Sequence, residues 1–353
     1  MAKDINKTII AALGAAAGGI GGVGVAALIA LYDKVFGRCE RPDYSVKPGM
    51  YNYELYGKTL PRENIKYLSD DVVLQGYYYK AKKSKGLVIV AHGIKSGADD
   101  YLPMIEYMVN NNYSVFAFDY KGTYDSQGES TVGMCESLVD LSNTIDFLSN
   151  DSRFKKMNKF LIGHSWGGYA VTSVLSIKDN IKACASIAGM NDGYTIIYEK
   201  GNQYAGKLAD SSKPFLNVYQ RYLFKSYVDL NGVKGINESN IPVLIAHGVE
   251  DGVISFKLQS IISKANEITN PNVKYFIGKG LQGDHCDIWH SNESIIYKKE
   301  LESELKLKEI IKDDDLSYEE KQEFYKNVNH RLYSEVNKEL FDEIIKMFDS
   351  TLN

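Results

Sequence analysis

Residues 159–177 read Lys-Phe-Leu-Ile-Gly-His-Ser-Trp-Gly-Gly-Tyr-Ala-Val-Thr-Ser-Val-Leu-Ser-Ile. The stretch opens as an apolar strand and continues from Ser165 as an apolar helix, so Gly163-His164-Ser165-Trp166-Gly167 falls on a strand-to-helix corner. Glycine on both sides of the serine permits a turn too sharp for larger residues, and such a turn lifts the Ser165 hydroxyl above the end of the strand. G-x-S-x-G alone arises often by chance. Between a buried strand and a helix whose N-terminus favours negative charge, it points to a nucleophile rather than to an ordinary turn serine.

Outward from this corner, strand-like runs alternate with helix-like ones. The strands are expected at Val72–Tyr79, Gly86–Ala91, Tyr113–Phe118, Lys159–Ile162, Ile181–Ile187, Ile241–Ala246 and Val273–Ile277. Several are near-continuous apolar runs, the pattern of parallel strands buried on both faces. Crossover helices are expected at about Asp99–Asn111, Met134–Asn150, Ser165–Ile177 and Ser255–Ile268, which makes the fold class α/β with one doubly wound, mostly parallel sheet. Gly189 to Asn240 is too long for a simple crossover and reads as an inserted cap, rich in tyrosine and phenylalanine. Beyond Ser291 the Glu/Lys-rich tail reads as extra amphipathic helices to about residue 335, one begun by a capping box at Ser317-x-x-Glu320, with Asn337–Phe348 as the closing helix.

The N-terminal end differs. Thr8 to Tyr32 are 25 residues without a charge, and a helix of that length reaches about 37 Å, enough for a hydrocarbon layer of ~30 Å. Six glycines, three spaced as Gly14-x-x-x-Gly18-x-x-x-Gly22, are tolerated in lipid, and no small-x-small cleavage pattern follows. Residues 1–33 are therefore expected to be an uncleaved anchor touching the lipid bilayer through residues 8–32, and 34–50 a polar linker before a domain at 51–353. Lys34, Arg38, Arg41 and Lys47 after the run favour a cytoplasmic domain. A short basic N-terminus before a first hydrophobic segment also begins exported, anchored proteins, and an extracytoplasmic domain is the expectation carried forward.

Composition narrows the partners. With 41 Lys+Arg against 45 Asp+Glu the formal charge is −4, so no basic excess exists to displace counterions from nucleic acid. Cys39, Cys135, Cys184 and Cys286 show no paired spacing for zinc or a dithiol, and Cys286-Asp287-x-x-His290 lacks a fourth ligand.

A serine hydroxyl needs a histidine to take its proton and an acid to orient that histidine. Downstream strand ends supply both: Ile241–Ala246 leads into His247-Gly248-Val249-Glu250-Asp251, and Val273–Ile277 leads to Asp284-His285. The chain order Ser165, Asp251, His285 resembles the α/β-hydrolase superfamily from about Tyr51 to His285 and in the closing helix. Glu250 and Asp192 are rival acids; Asp251 fits His-Gly-x-x-Asp. His92 and His247 read as structural members of His-Gly turns, and His164 as the variable position of the corner.

The resemblance implies more. His92-Gly93-Ile94 stands where the family places its first oxyanion loop, with Ile94 N–H as one donor and Trp166 N–H as the other. Asp119-Tyr-Lys121-Gly122-Thr-Tyr124-Asp125-Ser126 resembles the family's Asp-x-Arg-Gly-x-Gly-x-Ser loop, with Lys121 and Tyr124 departing from it. The resulting expectation is a serine hydrolase acting on a small carboxylic ester or related acyl compound through an acyl-enzyme, without cofactor or metal. It looks closest to serine aminopeptidase-like and monoacylglycerol-lipase-like hydrolases. A short-peptide peptidase, with Glu199 or Asp210 receiving a free amino terminus, a thioesterase, and a membrane-tethered binding or scaffold protein of the same fold are the alternatives.

Overall fold

The computed structural model describes residues 35–47, 53, 59–196, 217–312 and 314–352. Eight strands among them form one sheet: β1 (Arg62–Ser69), β2 (Val72–Tyr79), β3 (Leu87–Ala91), β4 (Ser114–Phe118), β5 (Lys159–His164), β6 (Ile181–Ile187), β7 (Val243–Gly248) and β8 (Val273–Gly278). Their order is β1-β2-β4-β3-β5-β6-β7-β8. β1 and β2 pair antiparallel, as do β2 and β4, and every pairing from β4 through β3 to β8 is parallel.

Helices cover both faces. On one lie α2 (Glu136–Asn150) and α3 (Trp166–Ser173), which with Leu87, Ile89 and Ala91 build one core layer. On the other lie α1 (Leu102–Asn110) and the closing helix Lys338–Asp349, sharing the second layer with Val88 and Val90. Alternate β3 residues thus serve opposite cores, as the two-residue strand period requires.

Four expectations change. β1 is an additional strand: Arg62, Asn64 and Lys66 interrupt its apolar residues, and only the Ile65, Tyr67 and Ser69 side is buried. Ser255–Ile268 is not an α-helix but a run of turns ending in a 3-10 segment, Ile262–Glu267. The side chains of Gln259, Ser260 and Ser263 bond the local backbone there, offering it an alternative to the helical ladder. Within the expected cap, Gly232–Ser239 forms a crossover helix (α4) packed so closely on α3 that a Cβ on Gly235 would overlap the Thr172 carbonyl. It belongs to the body, while residues 197–216, with Glu199 and Asp210, lie outside the described residues.

Residues 35–47, expected as linker, are part of the domain. Phe36 is buried in the α2/α3 core, Thr131 N–H donates to its carbonyl, and the Arg38 guanidinium donates to the carbonyls of Tyr124, Ser126 and Gly128. Arg41 bridges Asp99 and Asp125. A buried aromatic anchor and two multiply bonded arginines outweigh the polar composition that suggests a linker. Past the sheet, the tail forms α5 (Asn292–Lys312), α6 (Tyr318–Lys326) and α7 (His330–Tyr333) before the closing helix α8, and Ser317 and Glu320 make the expected capping box. Among the described residues no helix is long and apolar enough to cross a membrane; the expected span at 8–32 lies outside them.

Candidate active site

Ser165 sits between β5 and α3 with φ 57° and ψ −116°, a left-handed region that a residue with a side chain rarely occupies. The corner is held from below: Ser165 N–H donates to Ile187 O at 2.8 Å. A Cβ on Gly163 would overlap the Gly167 carbonyl, and one on Gly167 would overlap that of Ala91. The motif's glycines are thus demanded by backbone approach, and strand, corner and helix pack without space between them.

Three side chains from separate strand ends meet here. Ser165 Oγ lies 2.9 Å from His285 Nε2, and His285 Nδ1 donates to Asp251 Oδ2 at 2.7 Å. All three residues are buried to within 7% exposure, so the ring is shielded from competing water. Burial pushes the Asp251 carboxyl up, but hydrogen bonds from His247 and His285 and the Ile254 N–H outweigh it and hold the group well below the ordinary carboxylate range. Asp284, not singled out from sequence, ties the two loops: its Oδ1 accepts His285 N–H at 2.7 Å and Gly252 N–H at 3.3 Å.

The rival acids stand elsewhere. Asp192 caps a turn by accepting Thr195 N–H at 2.7 Å, and Glu250 lies against Gly283. The Cys286, Asp287 and His290 group does not gather: His290 Nδ1 bonds the Cys286 carbonyl, and no set of metal-ligating side chains occurs among the described residues.

The candidate oxyanion donors flank Ser165. Trp166 is the first residue of α3, where an N–H has no intrahelical acceptor, and its indole donates to Met134 O at 2.6 Å. Ile94 follows Gly93, which packs against Ser165. His92, fully buried, accepts Tyr120 N–H at Nε2 and donates from Nδ1 to Gly93 O. Burial takes its imidazole down to about 3, so it stays neutral and is no second base. Tyr124, where the resembled loop has glycine, adopts φ 39° and donates its hydroxyl to Asp100 at 2.7 Å, so this left-handed turn is made with a tyrosine in it.

Comparison with known proteins agrees with this architecture. Residues 82–233, less than half of the chain, match the family described as serine aminopeptidase, S33; the match contains Ile94, Ser165 and Trp166 and stops short of Asp251 and His285. An uncharacterized protein, YfhR of Salmonella typhi, is 25% identical over 69% of this chain and 82% of its own. Lysophosphatidylserine lipase ABHD12 of Xenopus tropicalis is 24% identical over 62% of this chain and 58% of its own. The esterase Pf2001 of Pyrococcus furiosus superposes with a TM-score of 0.52 at 18% identity, covering 76% of this chain and 96% of that one. The chain has the α/β-hydrolase fold, with extra C-terminal helices.

Proposed function

We propose that the chain is a serine hydrolase that cleaves a small carboxylic ester or related acyl compound. The observation that carries this is the continuous hydrogen-bonded line from Ser165 Oγ through His285 to Asp251, on a nucleophile held at positive φ. In this reading Ser165 Oγ bonds to the acyl carbon while its proton passes to His285 Nε2. The carbonyl oxygen becomes an oxyanion facing Ile94 N–H and Trp166 N–H. His285 then protonates the leaving oxygen as the carbon–oxygen bond breaks, leaving an acyl-enzyme. Water, deprotonated by His285, repeats the addition and releases the acid. Asp251 stays ionised and fixes the Nδ1–H tautomer throughout. Every group required is a protein group.

A peptidase reading is favoured by one finding, the family match over residues 82–233. The lipase relative adds lysophospholipids to the substrates worth assaying. The deciding experiment is labelling by a fluorophosphonate probe, followed by turnover of nitrophenyl esters, lysophospholipids and aminoacyl nitroanilides. Labelling that vanishes in Ser165→Ala, with ester turnover above anilide turnover, supports the proposal; Ser165-independent labelling defeats it, and faster anilide turnover selects the peptidase.

The proposal extends to residues 8–32 as a bilayer anchor holding an extracytoplasmic domain. It rests on the charge-free run, with Asp33 and Lys34 as the only residues between that run and Val35, which packs on the core. Carbonate-resistant sedimentation tests the anchor, and protease shaving of intact cells tests the side.

A further inference from the structure

No sequence motif singles out Ser96 or Tyr101, and His164 reads only as the variable residue of the corner, yet Ser96 and Tyr101 both bond Gly93, which precedes the first candidate oxyanion donor, and His164 bonds Tyr101. Ile94 N–H belongs to the Gly93–Ile94 peptide, and in a trans peptide the carbonyl points opposite the N–H. Whatever fixes Gly93 C=O therefore aims Ile94 N–H. Two donors do so: His92 Nδ1–H at 2.7 Å and Ser96 Oγ–H at 2.7 Å. The other side of Gly93 is held too, its N–H donating to Tyr101 Oη at 2.9 Å.

Tyr101 reaches further. Its hydroxyl accepts from Gly93 and has one proton to give, and His164 Nδ1 lies 2.9 Å away. With Nδ1 accepting, His164 carries its proton on Nε2, which donates to the backbone carbonyl of His285 at 3.2 Å. Burial, with His285 nearby, takes the His164 imidazole down to about 3, so the chain of bonds keeps one direction across the neutral range. Tyr101 is also fixed by stacking on Trp289, ring centres 5.8 Å apart. One hydroxyl thus ties the loop after β3 to the variable residue of the corner and, through it, to the loop that carries His285.

We propose that Tyr101 and Ser96 are positioning residues: together they hold Gly93 through both of its peptide planes and aim Ile94 N–H at the developing oxyanion, and Tyr101 sets that loop against the His285 loop through His164. This rests on the reading of Ile94 and Trp166 as oxyanion donors. Such donors act at the place the oxyanion occupies, which the ground-state carbonyl does not share, so a misaimed donor lowers kcat more than it raises KM. Deleting an oxyanion donor costs about 10²–10³ in kcat, and misaiming one should cost about 10- to 100-fold.

The test compares the full-length chain with Tyr101→Phe, which keeps the ring, and with Ser96→Ala. Two quantities are measured: kcat and KM on a short-chain nitrophenyl ester, and affinity for an aryl trifluoromethyl ketone. In the ketone adduct Ser165 Oγ bonds to the carbonyl carbon, its proton moves to His285, and the oxygen becomes an oxyanion. The expected result is that kcat and ketone affinity fall together in both variants, by about 10- to 100-fold in Tyr101→Phe, while KM changes by less than about threefold. Ketone affinity that stays at the wild-type value, or a loss of kcat matching only the unfolded fraction seen by circular dichroism, overturns the inference. If Tyr101→Phe does not fold, Ser96→Ala decides by the same pair of measurements. A wild-type chain that neither turns over esters nor binds the ketone refutes the underlying reading of the site; an active, ketone-binding wild type beside unaltered variants refutes the positioning role alone.

Discussion

Asp251 is shared by two histidines: its Oδ2 accepts His285 Nδ1–H at 2.7 Å and lies 3.0 Å from Nε2 of His247. The same Nε2 is 3.0 Å from the Ile254 carbonyl, and the other carboxylate oxygen accepts the N–H groups of Val253 and Ile254. His247 is fully buried, and its Nδ1 has no hydrogen-bond partner among the described residues. A residue that reads from sequence as an ordinary turn histidine thus crowds the carboxylate that orients His285.

The first prediction follows from that sharing. His247→Phe removes the imidazole donor, so the buried Asp251 carboxylate loses one of the hydrogen bonds that hold it well below the ordinary carboxylate range. A carboxylate short of that donor holds the His285 ring less firmly in line with Ser165. kcat/KM on a short-chain nitrophenyl ester should fall in the Phe variant, while His247→Gln, which keeps a donor, should resemble the wild type. A folded Phe variant with wild-type kcat/KM would show that His247 only fills space.

A second prediction concerns the three aligned side chains. Ser165→Ala and His285→Ala should each abolish ester turnover, and Asp251→Asn should lower it by about 10⁴-fold because the amide favours the wrong His285 tautomer. The losses should not add in the double variants, since the groups act as a unit. Asp192→Asn and Glu250→Gln should keep most activity, because neither side chain is among the partners of His285. Steady-state kinetics check this, and a Glu250→Gln loss exceeding that of Asp251→Asn would mean that the acid is misassigned.

Stability should report on Asp119. This fully buried carboxyl accepts Ala98 N–H at 2.8 Å and the Tyr77 hydroxyl at 2.9 Å. Burial and then the nearby Asp99 push it up to about 7. A group raised in the folded state contributes stability that is fully present below its ordinary value near 3.8 and is lost as pH rises through 7. The loss corresponds to about 4 kcal/mol at most. An uncharged amide at this position imitates the protonated form, so Asp119→Asn should match the wild type near pH 4 and exceed it above pH 7 in urea unfolding. A constant difference between the two proteins from pH 4 to 8 would contradict the linkage.

Phe36 tests whether the segment after the expected anchor is part of the domain. It is 2% exposed, and truncation to alanine in a filled core costs about 3–5 kcal/mol. Phe36→Ala should lower Tm by several degrees and open residues 35–47 to limited proteolysis. A variant as stable as the wild type would return this segment to the status of a linker.

Local pattern in the chain settles whatever acts over a few residues. Two-residue alternation and continuous apolar runs mark seven of the eight strands, and the Gly163–Gly167 corner locates the candidate nucleophile. His-Gly-x-x-Asp and Asp284-His285 after the last strands mark the acid and base positions that the fold brings within hydrogen-bonding distance. Those signals survive because turn chemistry and strand period are short-range.

Folding settles the rest. Tyr101 lies 63 positions from His164, and His164 lies 121 from the residue whose carbonyl it bonds, so no local spacing could link them. Arg38 and Arg41 read as solvated until folding places carbonyls and carboxylates around them, and Ser260 and Ser263 turn an expected helix into turns by bonding their own backbone. Long-range polar contacts carry no period in the chain; they exist only once the sheet has brought distant loops to one edge.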